Sequence, residues 1–280
     1  MLSLLASHSE QSYQNYWYEL GYNYAGPLIF GFMQWLDHQM KKDEMDQAFF
    51  IGRDGYTLEK VFKLINGDSL EIQTHYIYLP RNIAHGCLND DIEIAEKSQK
   101  EYRHYLEQFN LKRNKKLALI DSVTYWWSSQ RTLVRLFPDK EIKGYYWLYG
   151  SNLFENLNCE SYQKDHNHSI GELIELFMTA PTPPVKTIVN GQPIFEEISP
   201  EEKVRIKLYP DLSKGAIDFA RDYLRSFNHF NGYFSSDMLI DWVKLFIQRP
   251  TEIDKISFFT IEHAADENHS NYNKLMYRWY

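Results

Sequence analysis

The sequence predicts an α/β fold: a mostly parallel sheet flanked by helices, completed by a helical C-terminal cap. Three observations predict it. Short continuous apolar runs, at 47–51 (QAFFI) and 116–120 (KLALI), suit strands buried on both faces. Each run leads through a polar loop into residues at helical spacing, and strands alternating with helices make parallel βαβ units. From Pro200 onward the pattern turns helical. With 280 residues, 44% apolar and 24% charged, the chain has the composition of a folded protein of one core plus an appendage.

Between residues 10 and 42, Tyr16, Leu20, Tyr24, Pro27, Phe30, Met33 and Leu36 recur every three or four positions. This run reads as helix, divided by a break at Gly26-Pro27. The strand at 47–51 is followed by the loop Gly52-Arg53-Asp54-Gly55 and a helix through Leu58, Phe62 and Ile65. A second strand is expected at 73–79, ending in Pro80-Arg81, and a polar helix at 91–109. The run 116–120 enters Asp121-Ser122, then Thr124 and Ser128-Ser129-Gln130, then a helix through Leu133 and Leu136. Residues 141–149 supply a fourth strand. The crossover rule puts loops 52–57 and 121–130 at the carboxyl edge of the sheet, where such folds bind ligands. Asn190-Gly191 marks a hairpin within 187–195, and 200–229 and 235–248 read as helices. With no linker or repeat, residues 1–150 read as the α/β core with its N-terminal helices, and 151–280 as a hairpin and helical cap on the same core.

The net charge of −8 provides no cationic field, so nucleic acid is not an expected partner and any phosphate must be held locally. The two cysteines, Cys87 and Cys159, form no CxxC, and His85, His104, His166 and His168 show no ligand spacing. Neither a disulfide framework nor a protein-built metal cluster is expected, and a reducing cytoplasm is the natural setting. The start lacks a signal-peptide pattern, and the apolar stretch at 27–36 is too short to cross a bilayer. Tyr277, Trp279 and Tyr280 could touch a membrane or pack on the core. Aromatics reach 16%, and rings serve both cores and sugar-stacking surfaces.

Two loops can carry chemistry. Gly52 and Gly55 allow positive φ and close backbone approach around one cation, Arg53, and one carboxylate, Asp54, which suits an oxyanion. The plainer reading makes Asp54 a helix cap and leaves Arg53 in water. In the second loop Asp121 ends a strand while Ser122, Thr124, Ser128, Ser129 and Gln130 gather at a helix N-terminus, where free amides and the macrodipole attract phosphate. The plainer reading is a serine-capped helix. Arg81 either reaches over the same edge with its planar fork or is solvated. Glu172 and Glu175, three apart, share a helix face that binds a polyol or faces water. Asp266 belongs to a late acidic loop that closes the site or ends a helix. Tyr125, Trp126 and Trp127 offer rings to a sugar, with core packing as the alternative.

This order of loops resembles a type I phosphoribosyltransferase, with Gly52 to Gly55 as a pyrophosphate loop, Arg81 after a later strand, and Asp121 leading to Ser128, Ser129 and Gln130. The chain departs from that family in carrying Asp121-Ser122 in place of two adjacent acidic residues, and Trp126-Trp-Ser-Ser129 in place of a TG-T loop. A closer likeness is to modules of bacterial surface-polysaccharide (O-antigen or capsule) loci. It is carried by the tyrosine-rich helix with Gly26-Pro27, by FFIGRDGYTLEKVF, by the Tyr-x-x-Arg strand end, and by the D-x-x-x-x-x-x-S-x-Q loop, over residues 12 to 195. Such modules often accompany a haloacid dehalogenase-like phosphatase, whose DxDxT motif does not occur before residue 100 here.

The resemblance implies a ribofuranosyltransferase that moves 5-phosphoribosyl from phosphoribosyl pyrophosphate to a hydroxyl of a lipid-linked or oligosaccharide acceptor. A separate sugar-phosphate phosphatase would then remove the 5-phosphate. It implies Mg2+ bound mainly through the donor, with Arg53, Gly52, Gly55 and Arg81 on the pyrophosphate and Asp121 on the ribose hydroxyls. Ser122, Thr124, Ser128, Ser129 and Gln130 would hold the 5-phosphate, and Tyr125, Trp126, Trp127, Glu172 and Glu175 the acceptor. Asp54 is the candidate general base, with Asp121 or Glu175 as alternatives. A cytoplasmic protein working at the inner face of the membrane follows from such an acceptor, with peripheral membrane contact. The rival readings are a phosphohydrolase, a non-catalytic scaffold of glycan assembly, and a phosphoribosyltransferase acting on a base.

Overall fold

The computed structural model describes residues 15–67, 71–111, 115–150, 156–163, 170–227, 233–264 and 272–276. His166, His168, Asp266, Tyr277, Trp279 and Tyr280 lie outside the described residues. Five parallel strands, β1 (Gln47–Gly52), β2 (Gln73–Tyr78), β3 (Lys116–Thr124), β4 (Glu141–Tyr149) and β5 (Cys159–Ser161), form one sheet in the order β2-β1-β3-β4-β5. Gln47 stands opposite both Gln73 and Leu117, which sets the register of the three strands that build the site. A short antiparallel hairpin, β6 (Val185–Val189) and β7 (Gln192–Phe195), turns at Asn190 and Gly191, both at positive φ. A second small pair joins β8 (Glu262–Ala264) and β9 (Tyr272–Lys274).

In chain order the helices are α1 (Tyr16–Leu20), α2 (Gly26–Lys42), α3 (Gly55–Asn66), α4 (Arg81–Cys87), α5 (Ile92–Leu106), α6 (Ser128–Leu136), α7 (Gly171–Phe177), α8 (Pro200–Phe227), α9 (Ser236–Gln248) and α10 (Glu252–Phe258). Alternate strand residues feed two separate apolar layers, because successive side chains point to opposite faces of a sheet. Ala48, Phe50, Ala118, Ile120 and Trp147 face α2, α3, α8 and α9. Phe49, Ile51, Leu117, Leu119 and Tyr146 face α4, α5 and α6. Helix α3, between β1 and β2, thus lies on the face opposite α6, between β3 and β4. Right-handed crossovers require this when the chain winds outward in both directions from a central pair. That pair is β1 and β3, the topological switch point of the sheet.

Three sequence expectations change. The helix at 16–42 is not divided at Gly26-Pro27: a π-helical turn, Gly21–Ala25, joins α1 to α2, and Ala25 and Gly26 are both right-handed. Pro27 falls in the first turn of α2, where a missing N–H is tolerated. The glycines here serve close packing. A Cβ on Gly21 would fall on the carbonyl oxygen of Leu212, and one on Gly215 on that of Tyr18. Helix α4 and strand β5 occupy segments to which the sequence assigned no element, and β5 joins the main sheet rather than a cap. Helices α8 and α9 pack into the same apolar layer as α2 and α3. Among the described residues no helix is long and apolar enough to cross a membrane.

Candidate active site

The carboxyl ends of β1 and β3 meet at the switch point, and their loops bond to each other. Ser122 donates its hydroxyl to Asp54. Asp121 accepts the amide of Ser122 at 2.9 Å. Asp54 stands where a helix cap would, but its backbone is right-handed and its side chain caps nothing; it crosses to β3 instead. Neither Gly52 nor Gly55 has positive φ. Gly55 is needed because a Cβ would meet the carbonyl carbon of Phe50 at 2.6 Å, so α3 starts hard against β1. The Gly52–Arg53 peptide is cis.

Arg53 meets the first turn of α8. Its Nη1 donates to Glu202 Oε2 at 2.8 Å, while Arg205 Nη2 donates to both Glu202 oxygens at 2.5 and 2.6 Å. One buried carboxylate therefore bridges two guanidiniums from distant parts of the chain. Tyr209, one turn on, donates to the Phe177 carbonyl at 3.2 Å, so its 2.8 Å bond with Thr57 must have the Thr57 hydroxyl as donor. These two bonds tie α8 to the start of α3 and to the end of α7.

The electrostatics separate the carboxylates into two classes. Burial would raise Glu202, but the charges of Arg53 and Arg205 outweigh it and hold the group below the usual carboxylate range. Asp121 is pushed well above that range by burial and by the charge of Asp54. Asp54 is itself raised by burial, although Ser122, Arg53, Arg205 and Arg81 oppose the shift. Glu175 is raised to about 7 by burial and by Asp54, against the pull of Arg81 and Arg205. Glu175 is nevertheless open to solvent. The mutual electrostatic influence of Asp54, Asp121, Glu175, Arg81 and Arg205 makes them neighbours at this sheet edge, with Glu175 on its solvent side.

Among the remaining sequence candidates, Arg81 begins α4 on the exposed side, within electrostatic reach of Asp54 and Glu175. Ser128 and Ser129 begin α6, whose first turn carries no side-chain cap, and Ser129 bonds toward Asp121. Thr124 is committed locally, accepting the Trp127 amide at 3.0 Å. Two assignments need correction. Gln130 is buried under the sheet, donating to the Asn158 carbonyl at 2.6 Å and accepting from Tyr146 at 3.0 Å, so it does not face a phosphate. Trp127 is 1% exposed and packs on Tyr149, whereas Trp126 is 61% exposed, so only Trp126 and its neighbour Tyr125 offer rings to solvent. Glu172 is half-buried, and its charge adds to the raising of Glu175.

Sequence reasoning missed Glu202, Arg205 and Tyr76. A signal for the first two was present. Positions 202, 205, 209, 212, 216, 219 and 223 form one helical stripe whose later members, Tyr209, Leu212, Ala216, Phe219 and Tyr223, are buried apolar residues. Two charged residues continuing an apolar stripe mark a place where the helix leaves the core for a polar site. Among the described residues, no group of three His, Cys, Asp or Glu is arranged to hold a metal ion. The carboxylates of Asp54 and Asp121 are hard oxygen donors crowded enough to oppose each other's ionisation, which fits a share in a cation carried by a substrate. Comparison of the sequence with protein-family models and with curated proteins finds no match.

Proposed function

We propose that the protein is a glycosyltransferase of the phosphoribosyltransferase type, moving 5-phosphoribofuranosyl from phosphoribosyl pyrophosphate to a sugar hydroxyl of a bacterial glycan. The observation that carries this reading is the meeting, at one switch point, of several arginines with carboxylates whose ionisation burial opposes. A donor whose leaving group is a diphosphate and whose transition state is a ribosyl cation needs both.

In this reading Arg53 and Arg81 hold the pyrophosphate by charge-assisted hydrogen bonds. The uncapped amides of α6, with Ser128 and Ser129, hold the 5-phosphate. Asp121 binds the ribose 2- and 3-hydroxyls and stabilises the developing cation. The anomeric C–O bond breaks with its electron pair going to pyrophosphate. The acceptor oxygen forms the new bond from the opposite face, inverting an α-linked donor to a β-ribofuranoside. The acceptor proton goes to Glu175, which is open to solvent and poised near neutrality, while Asp54 is already engaged by Ser122. Mg2+, when bound with the donor, supplies charge neutralisation of the leaving group, with Asp54 and Asp121 as the nearby carboxylates. Trp126 and Tyr125 stack on the acceptor. A separate phosphatase removes the 5-phosphate, and a lipid-linked acceptor would bring the protein to the inner face of the membrane.

The test is calorimetric titration with phosphoribosyl pyrophosphate, with and without Mg2+, because it requires no knowledge of the acceptor. Magnesium-dependent binding supports the reading and justifies screening glycan acceptors. No binding under either condition overturns it in favour of a scaffold or another ligand.

A further inference from the structure

We propose that the first turn of α8 is the second arm of a diphosphate clamp: Arg205 and Arg53, held side by side by Glu202, grip the diphosphate together, and the Tyr76 hydroxyl donates to it. The identity of the ligand rests on the donor reading above; the anion site itself rests on the side chains.

Two guanidiniums share one hydrogen-bonded carboxylate in a place largely shut from water, with side chains 17% and 13% exposed for Arg53 and Arg205, and Asp54 acts on both by charge alone. Burial first, and then the neighbouring Arg205 charge, lower the proton affinity of Arg53 against the pull of Glu202 and Asp54. Each arginine commits one terminal nitrogen to Glu202, and no other side-chain hydrogen bond is made by either among the described residues. An arginine has five N–H donors, so most of the hydrogen-bonding capacity of the pair remains available.

A second observation is independent of the ion pairs. The hydroxyl of Tyr76, on β2, is buried and makes no hydrogen bond of normal geometry, although the Tyr78 hydroxyl lies close enough to influence it. It stands 2.8 Å from where a Cβ on Gly52 would be, at the base of the Arg53 loop, and it feels the charges of both Asp54 and Arg53. A buried, unsatisfied hydroxyl beside two under-used guanidiniums is completed by an oxyanion. A diphosphate suits the arrangement, since its two phosphoryl groups present oxygens to two planar forks at once. Glu202 is then a positioning residue: it fixes the forks before the ligand arrives. The Tyr209 bonds to Thr57 and Phe177 keep the α8 arm in place.

Calorimetry with inorganic pyrophosphate and with phosphoribosyl pyrophosphate, both with Mg2+, tests this on the full chain and on Arg205→Ala, Arg205→Lys and Glu202→Gln. Melting curves establish that each variant folds. Arg205→Ala is expected to weaken both ligands on the order of 10–100-fold. Arg205→Lys keeps charge and length, serves if the alanine variant does not fold, and is expected to recover only part of the loss because it lacks the fork. Glu202→Gln makes the site more positive, so a purely coulombic role predicts tighter binding, whereas positioning predicts weaker binding. Unchanged affinity in both Arg205 variants, or tighter binding in Glu202→Gln, overturns the clamp while leaving the donor reading intact. Binding of pyrophosphate without phosphoribosyl pyrophosphate keeps the clamp and removes the donor reading. Binding of neither overturns both.

Discussion

Replacing Glu175 with glutamine is expected to stabilise the protein at alkaline pH and to leave it unchanged in acid. The glutamate is raised from 4.5 to about 7 by burial and by the charge of Asp54, with Glu172 adding to it. Between those two values the folded chain keeps a proton that the unfolded chain has released, so stability falls as pH rises through the interval and is level above it. At 1.36 kcal/mol per pH unit the full penalty is about 3 kcal/mol. Because Glu175 reaches solvent, screening reduces this to about 1–2 kcal/mol. Glutamine keeps the shape and cannot ionise. In a chain of this size the variant should therefore melt roughly 2–3 °C above the parent at about pH 8, and within a degree or so of it at about pH 4. Differential scanning fluorimetry across that range measures the difference directly. An offset independent of pH, or a variant less stable than the parent at about pH 8, would refute the reasoning.

Other substitutions test the packing and the site. Gly21→Ala and Gly215→Ala would each gain about 0.5–1 kcal/mol from helix propensity alone, yet their Cβ atoms collide with backbone carbonyls across the α1–α8 contact, so a net loss of about 1–3 kcal/mol is expected in urea unfolding. Gly171→Ala is the control: nothing lies within 4 Å of its Cβ, and no loss should appear. Lys143→Met removes a lysine, 8% exposed, that donates to Asp43 at 2.7 Å and Glu160 at 2.9 Å. It should cost about 3 kcal/mol at neutral pH, and less in acid, where the stranded Asp43 takes a proton. Asp121→Asn should retain the fold and abolish transfer, read as a cooperative melting transition no lower than the parent's with no product from donor and acceptor.

Strands β1 and β3 were legible because their runs are buried on both faces, and that continuity is visible without any partner. Strand β5 was not: Cys159–Ser161 is three residues long, half-exposed and without an apolar run. Helix α4 was hidden by its length of seven residues and by Gly86 near its end. The proximity of the Arg53 and Asp121 loops followed from the parallel order alone, whereas the Ser122–Asp54 bond depends on strand register. The two tryptophans could not be told apart, since their fates turn on the left-handed backbone of Trp127, φ 48°, which sends adjacent rings to opposite sides. Gln130 was readable in principle: it stands three residues before Leu133, on the buried face of α6. Glu202 and Arg205 lie about 150 residues from Arg53, and a glutamate three before an arginine looks like any solvated helix pair.

The same molecule supplies the comparison by which its site can be judged. Asp43 is half-buried beside Lys143 and Tyr145, and Glu202 is buried beside Arg53 and Arg205; in both, hydrogen bonds and opposite charge overcome the cost of desolvation and hold the carboxyl below its ordinary range. Those are structural ion pairs, and removing either carboxylate should destabilise the fold. Asp54, Asp121 and Glu175 shift the other way, although Arg53, Arg81 and Arg205 act on one or more of them. If they served only to neutralise those arginines, their pKa values would be lowered as that of Glu202 is. A fold retains carboxylates that oppose their own ionisation where something other than the fold requires them. Asp121→Asn should accordingly raise the melting temperature at neutral pH while Glu202→Gln lowers it. Two carboxylates of one site would then give opposite signs in one assay, and equal signs would remove the division between scaffold and site on which the assignment rests.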